Sequence, residues 1–207
     1  VWFATLITRT FTNSKQDEIS REEIIALASL GHKMGSLASH ENEYLANVLR
    51  LREVKTEEIL TPRSVMHSLD ENTPVSQALE NEKTARFSRI PVFKGNHDEI
   101  IGLVTNRKLY IAEREGKGDT PISDYCKPIT RVSEYLPVQQ LLDLMIKKRE
   151  HLVLVEDQFG QTAGIVTLED AIETMLGREI VDETDTVEDL QEYAKGQYRN
   201  RLRTDTE

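Results

Sequence analysis

The chain has 207 residues, 26 lysines and arginines against 36 aspartates and glutamates, a formal charge of −10, and 38% hydrophobic residues. That length accommodates one large domain or two small ones around a real core. The negative balance excludes a sequence-independent grip on nucleic acid, which needs a basic surface to displace counterions from phosphate. The single cysteine, Cys126, excludes an internal disulfide and a thiolate metal cage and points to a reducing compartment. The five histidines, His32, His40, His67, His97 and His151, lack ligand-like spacing and read as surface or strand residues.

The chain opens with Val1-Trp2-Phe3-Ala4-Thr5-Leu6-Ile7-Thr8 and turns polar at Arg9. So short a stretch does not cross a bilayer, which takes about 20 residues in a helix. Two readings fit it: a frayed end or helix packed on the core, and the last turns of a membrane helix whose cytoplasmic side is marked by Arg9 and Lys15. A polar linker follows. Ser20-Arg21-Glu22-Glu23 then fits a capping box and predicts a helix with Ile24, Leu27, Ala28 and Leu30 on one stripe, stopping near Gly31 or Gly35. A second helix is predicted from about Ser39, with Tyr44, Leu45, Val48, Leu49 and Leu51 facing inward. Together they form a helical hairpin.

Beyond Thr56 the chain repeats itself. Thr73-Pro74-Val75-Ser76-Gln77-Ala78-Leu79 matches Leu136-Pro137-Val138-Gln139-Gln140-Leu141-Leu142 at an offset of 63, and Gly102-Leu103-Val104-Thr105 matches Gly164-Ile165-Val166-Thr167 at 62. Two anchors agreeing within one residue indicate a duplication. In each copy a proline suits the first helical position, and Thr73 is a candidate N-cap. Apolar runs at residues 90–93 and 100–104, and again at 152–155 and 163–166, flank turn-rich segments and predict hairpins. Further helices are predicted from Asn106 and from Leu168. Each copy therefore reads helix, strand, strand, helix.

The usual catalytic signatures are missing. Gly116-Lys117 has neither the upstream glycine of a phosphate loop nor the hydroxyl residue after the lysine, and no Gly-x-Ser-x-Gly occurs. The informative junction is Gly164-Ile165-Val166-Thr167-Leu168-Glu169-Asp170, where a strand passes directly into a helix. Thr167 and Asp170 fit a capping box, and they equally fit a ligand clasp, because a helix N-terminus attracts phosphate and a carboxylate can accept both ribose hydroxyls. Phe87-Ser88-Arg89-Ile90-Pro91 sets an aromatic face, a hydroxyl and a fixed cation where the first copy enters its strand, with Pro91 suited to an unpaired edge. Phe87 could stack on a base and Arg89 could hold phosphate; equally, Phe87 could be core and Arg89 a surface ion pair.

The duplicated unit, ending in Gly-hydrophobic-x-Thr-x-x-Asp, resembles the cystathionine-β-synthase (CBS) domain, which occurs in tandem and binds adenine nucleotides. A fuller resemblance is to the CorC/CNNM group of hemolysin-like, magnesium and cobalt efflux membrane proteins. It rests on Ile59-Leu60-Thr61-Pro62-Arg63, Phe87-Ser88-Arg89-Ile90-Pro91-Val92, Gly164-Ile165-Val166-Thr167-Leu168-Glu169-Asp170 and Glu179-Ile180-Val181-Asp182-Glu183. The resemblance implies an α/β (α+β) fold, a tandem CBS pair in which each copy is a small sheet packed with helices. It divides the chain into the end of a membrane segment with its linker (1–19), a helical connector (20–55), a first CBS domain (56–118), a second (119–183) and an acidic, helix-compatible tail (184–207).

Carried over residue by residue, the resemblance implies adenine near Thr61 and Phe87, phosphate near Ser88 and Arg89 beside Pro91, ribose on Thr167 and Asp170, and apolar walls from Ile90 and Ile165. The ligand implied is AMP, or ATP with Mg2+. The first copy has Lys108 where the second has Asp170, so one good nucleotide site per chain is expected. The partners implied are the protein's own membrane domain and a second copy of the chain, on the cytoplasmic side of the membrane. A ligand-free dimerisation module is the alternative, and a nucleotide-processing enzyme finds no His or second carboxylate with a clear acid–base role beside Thr167 and Asp170.

Overall fold

The structure is a computed structural model that describes residues 19–178 and Ile180. The membrane-stump reading, the Glu179-to-Glu183 motif apart from Ile180 and the acidic tail lie outside the described residues. The chain divides between Leu49 and Arg50 into two compact units. Among the described residues no helix is long and apolar enough to cross a membrane.

The first unit is the helical hairpin. Helix α1 (Arg21–Lys33) begins with the expected capping box: the Ser20 hydroxyl accepts from the Glu23 N–H at 3.1 Å, and the Glu23 carboxylate accepts from the Ser20 N–H at 2.9 Å. Helix α2 (Ser39–Arg50) follows. The predicted inward stripes are only partly buried. Ala28 is covered, whereas Ile24, Leu27, Leu30, Leu45 and Val48 stay exposed. Hydrogen bonds from Arg21 to the Leu49 carbonyl and from Ser29 to Asn42 link the two helices, and one partner helix does not cover apolar arcs this wide. Leu51 and Val54, read from the sequence as part of the connector, belong to the second unit: Leu51 is buried in its core and the Val54 carbonyl accepts from Val138 N–H.

The second unit carries the two copies. A short 3-10 turn (Thr56–Glu58) leads to β1 (Thr61–Pro62) and β2 (Leu69–Asp70). The first copy continues with α3 (Val75–Glu80), α4 (Glu82–Arg86), β3 (Arg89–Lys94), β4 (Asn96–Thr105) and α5 (Asn106–Arg114). The second has β5 (Arg131–Ser133), α6 (Val138–Lys148), β6 (Leu152–Glu156), β7 (Thr162–Thr167) and α7 (Leu168–Leu176). Pro74 and Pro137 are the N-caps themselves, one position earlier than expected, so Thr73 caps nothing. The predicted first-copy helix is split at Asn81, whose extended backbone ends α3 while its side chain accepts from Lys83 N–H to start α4.

The strands form two sheets, ordered β2-β3-β4 and β1-β7-β6-β5. The copies exchange their leading segments. β1, which precedes the first copy, pairs antiparallel with β7 of the second, Thr61 opposite Ile165. Reciprocally, Lys127 bridges to Leu103 of the first copy. The helix starts obey the same relation, Val75 N–H donating to Thr120 and Val138 N–H to Val54. Leu51 and Ile59 therefore sit in a core with Val138, Leu141 and Val153, whereas Ile122 sits with Val75, Ile90 and Val104. A third cluster of Phe93, Ile100, Leu103, Ile129, Leu152 and Leu154 seals the copies together.

Pro91 does not mark an edge, because β3 is the middle strand of its sheet. It is tolerated because β2 pairs only with Val92 and Phe93 and ends before reaching it.

Candidate functional site

The exchange of leading segments builds a cleft between the copies, a cavity of about 300 Å³. One wall is β1 and the segment after it, with Thr61, Val65, Met66 and His67, continued by Arg86, Phe87, Ser88, Arg89 and Pro91 at the entry to β3. The other comes from the second copy: His151 and Leu152 at the entry to β6, and Ile165, Thr167, Glu169 and Asp170 along β7 and the start of α7. Eight of the nine residues singled out from the sequence therefore line one cavity. Ile90 does not. It is fully buried in the first copy's core, because side chains alternate along a strand and its neighbours Arg89 and Pro91 take the cleft face.

The Thr167 end is held by a capping box. The Thr167 hydroxyl accepts from Asp170 N–H at 3.1 Å, and the Asp170 carboxylate accepts from Thr167 N–H at 2.7 Å. The two readings of this motif are thus compatible: the contacts that cap α7 also fix a hydroxyl and a carboxylate at the cavity wall, where the helix dipole favours negative charge. Gly164 makes this approach possible. A Cβ there would overlap the Thr61 carbonyl, so the β1 backbone reaches β7 only because the residue is glycine.

The opposite wall carries charge and aromatic surface. Phe87 is 38% exposed and stacks with His67, ring centroids 5.7 Å apart and planes 24° from parallel. The His67 Nε2 lies 3.3 Å from the Thr84 hydroxyl. Burial first, and the Lys83 ammonium second, hold the His67 imidazole below its ordinary range. Arg86 and Arg89 add two guanidinium groups to the same wall.

His67, Arg86, His151 and Glu169 were missed in the sequence, and the expectation that no histidine or second carboxylate stands beside Thr167 and Asp170 is corrected: strand entry, the irregular segment before β2 and the first turn of α7 bring two histidines and Glu169 to the same cavity. For His151 a signal existed, since the duplication offset of 63 maps Ser88 onto it, and the structure repeats the bond: Asn106 N–H donates to the Ser88 carbonyl as Leu168 N–H donates to that of His151. Nothing periodic marks His67, which reaches the cavity from an irregular segment.

The symmetry-related position is built differently. Thr105 caps α5 without a side-chain hydrogen bond, and no acidic residue stands in that helix's first turn, where Asp170 has Lys108 as its counterpart. Lys127 and Glu150, equivalent to Thr61 and Phe87, form an ion pair at 3.6 Å. Burial pushes the neighbouring Cys126 thiol up, and Lys108 partly opposes it.

Comparison with known proteins agrees with this architecture. The model of the CBS domain matches residues 56–114 and 122–177. The UPF0053 protein sll1254 of Synechocystis is 34% identical over 196 residues, covering 94% of this chain and 56% of its own length. The UPF0053 protein YhdP of Bacillus subtilis is 32% identical over 203 residues, covering 94% and 46%. The chain thus spans about half the length of the curated relatives it matches. Among solved structures, the CBS domain of a bacterial CNNM/CorC family Mg2+ transporter superposes with a TM-score of 0.74 at 30% identity, over 79% of this chain and 99% of that one. A structure of such a domain in complex with ATP superposes at 0.64 with 31% identity, over 67% and 98%. With two CBS-model matches on one chain and near-complete coverage of a transporter's CBS structure, the protein belongs to the CBS-domain family and carries a tandem pair of the CNNM/CorC type.

Proposed function

We propose that this chain is a non-catalytic regulatory module that binds an adenine nucleotide, AMP or ATP, in the cleft between its CBS copies and reports occupancy to an ion-transporting membrane domain. The observation that carries the reading is the division of chemistry across one cavity. Phe87 with Ser88, Arg86 and Arg89 offers a stacking surface and phosphate donors, while Thr167 and Asp170 offer hydroxyl-binding groups on a helix N-terminus. The ATP complex of a similar CNNM/CorC domain supports the choice of ligand.

ATP enters this acidic chain as its Mg2+ complex, because the metal lowers the charge brought beside a protein of −10. Mg2+ is assigned to the nucleotide, whose phosphates coordinate it. Occupancy acts by population shift: a ligand gripped by both copies favours one arrangement of a homodimer and, through residues 20–52, one arrangement of the membrane domain on the cytoplasmic side. Exposed Tyr110 and Ile111 on α5 and Ile146 on α6 supply apolar surface for such a dimer.

Calorimetric titration with AMP, ADP and ATP, each with and without Mg2+, tests the reading. Saturable heat with at least one nucleotide and no product is expected. Absence of heat with all three rejects the sensor and leaves a dimerisation module, and product formation rejects the non-catalytic role.

A further inference from the structure

We infer that His67 is a positioning residue that holds the Phe87 ring as a fixed platform for the nucleotide base; the inference rests on the nucleotide reading above. Phe87 follows α4, a helix of five residues, and an aromatic side chain at the end of so short an element has little to hold its plane. His67 covers one of its faces in a near-parallel stack at 5.7 Å, and both rings line the cavity.

Thr84 ties the two together. It is fully buried, its hydroxyl meets His67 Nε2 at 3.3 Å, and its carbonyl accepts from the Phe87 backbone N–H at 3.3 Å. That same carbonyl accepts from Asn106 Nδ2 at 3.1 Å, which anchors the assembly to the start of α5. One buried residue therefore sets the backbone from which Phe87 projects and the ring that backs it. Stacking energy depends on offset and tilt, so a ring held before the ligand arrives loses less freedom on binding than a mobile one. Burial and Lys83 favour the uncharged imidazole, the form that packs on Phe87 without adding a cation to a wall already carrying Arg86 and Arg89.

The platform favours a purine over the smaller pyrimidine, which makes base preference the readout. The 207-residue chain and its His67→Ala, His67→Phe and Thr84→Val variants are titrated with ATP and with CTP, each with Mg2+. His67→Ala is expected to weaken ATP by about fivefold, the scale of one aromatic contact, and to narrow the ATP:CTP preference. His67→Phe, which keeps a ring but loses the Thr84 contact, is expected to recover most of both and to lie with Thr84→Val, between His67→Ala and the unaltered chain. Thr84→Val, which removes only the hydroxyl, moves ATP affinity in the same direction as His67→Ala. Unchanged ATP affinity in His67→Ala, or equal losses in His67→Ala and His67→Phe, overturns the inference. Should His67→Ala not fold, unchanged affinity in Thr84→Val does so. Absence of binding in the unaltered chain rejects the nucleotide reading and this inference with it, whereas ATP binding that Asp170→Ala abolishes and His67→Ala leaves intact rejects the inference alone.

Discussion

The Asp170 carboxylate accepts the Thr167 backbone N–H at 2.7 Å while the Thr167 hydroxyl accepts the Asp170 N–H at 3.1 Å, so each residue of the ribose-binding candidate pair orients the other before any ligand arrives. Asp170→Ala removes half of this box. Loss of a cap costs about 1 kcal/mol, which lowers the melting temperature by a few degrees. Nucleotide binding is expected to fall below detection, a far larger effect than the change in stability explains. Paired calorimetric titrations and thermal melts check it: binding retained within threefold of the unaltered chain rejects Asp170 as a ribose ligand.

Lys108 occupies the equivalent place in the first copy, where Lys127 and Glu150 form an ion pair. A lysine accepts no hydrogen bond from a ribose hydroxyl. Lys108→Ala should therefore leave both affinity and stoichiometry unchanged, at one nucleotide per chain. A stoichiometry of two, or a loss matching that of Asp170→Ala, contradicts the single-site reading.

Gly164→Ala tests the backbone contact that shapes the cavity. The added methyl overlaps the Thr61 carbonyl, and both partners are backbone or attached to it, so no flexible side chain can yield. Overpacking of this kind costs about 1–3 kcal/mol. Urea denaturation should show that loss, together with weakened nucleotide binding, because β1 is pushed off β7 and carries Thr61 with it. Gly160→Ala makes a useful contrast: its positive φ strains an alanine too, but the added atom meets nothing within 4 Å and the site lies at a hairpin turn. It should lower stability and leave affinity alone.

His67 gives stability a pH dependence whose sign is determined by its surroundings. Its folded pKa lies below the ordinary 6.5, so the unfolded chain binds the proton more readily. The contribution is whole above about 6.5 and is lost as pH falls through that value toward the folded pKa. Burial first and the Lys83 ammonium second disfavour the positive imidazole; Arg86, Arg89, His151, Glu169 and Asp170 are the other charged or ring-nitrogen groups lining the same cavity. Urea midpoints between pH 7.5 and 5 should therefore fall less steeply for His67→Phe than for the unaltered chain; parallel slopes rule out His67 as the source.

Much of this molecule was legible in the sequence, and the legible parts share a cause. Capping boxes at Ser20 and Thr167, helical apolar spacing in α6 and α7, and β-branched runs bounded by turn residues are local patterns, enforced by hydrogen bonds and side-chain contacts within a few positions. The duplication made them readable twice over. What stayed hidden depends on contacts distant in sequence. Nothing local says that β1 joins the second copy's sheet, that Ile122 completes the first copy's core, or that Pro91 sits in a middle strand beyond the reach of β2. Ile90 and Arg89 are adjacent letters that strand alternation sends to opposite faces. The acidic, duplicated chain by itself determined a CBS-like pair with a candidate clasp at Thr167 and Asp170. Only the tertiary structure decided which side chains share the cleft: the pairing of β2 with β3 carries His67 to Phe87, and the pairing of β1 with β7 carries Thr61 to the second copy, both contacts between segments distant in sequence.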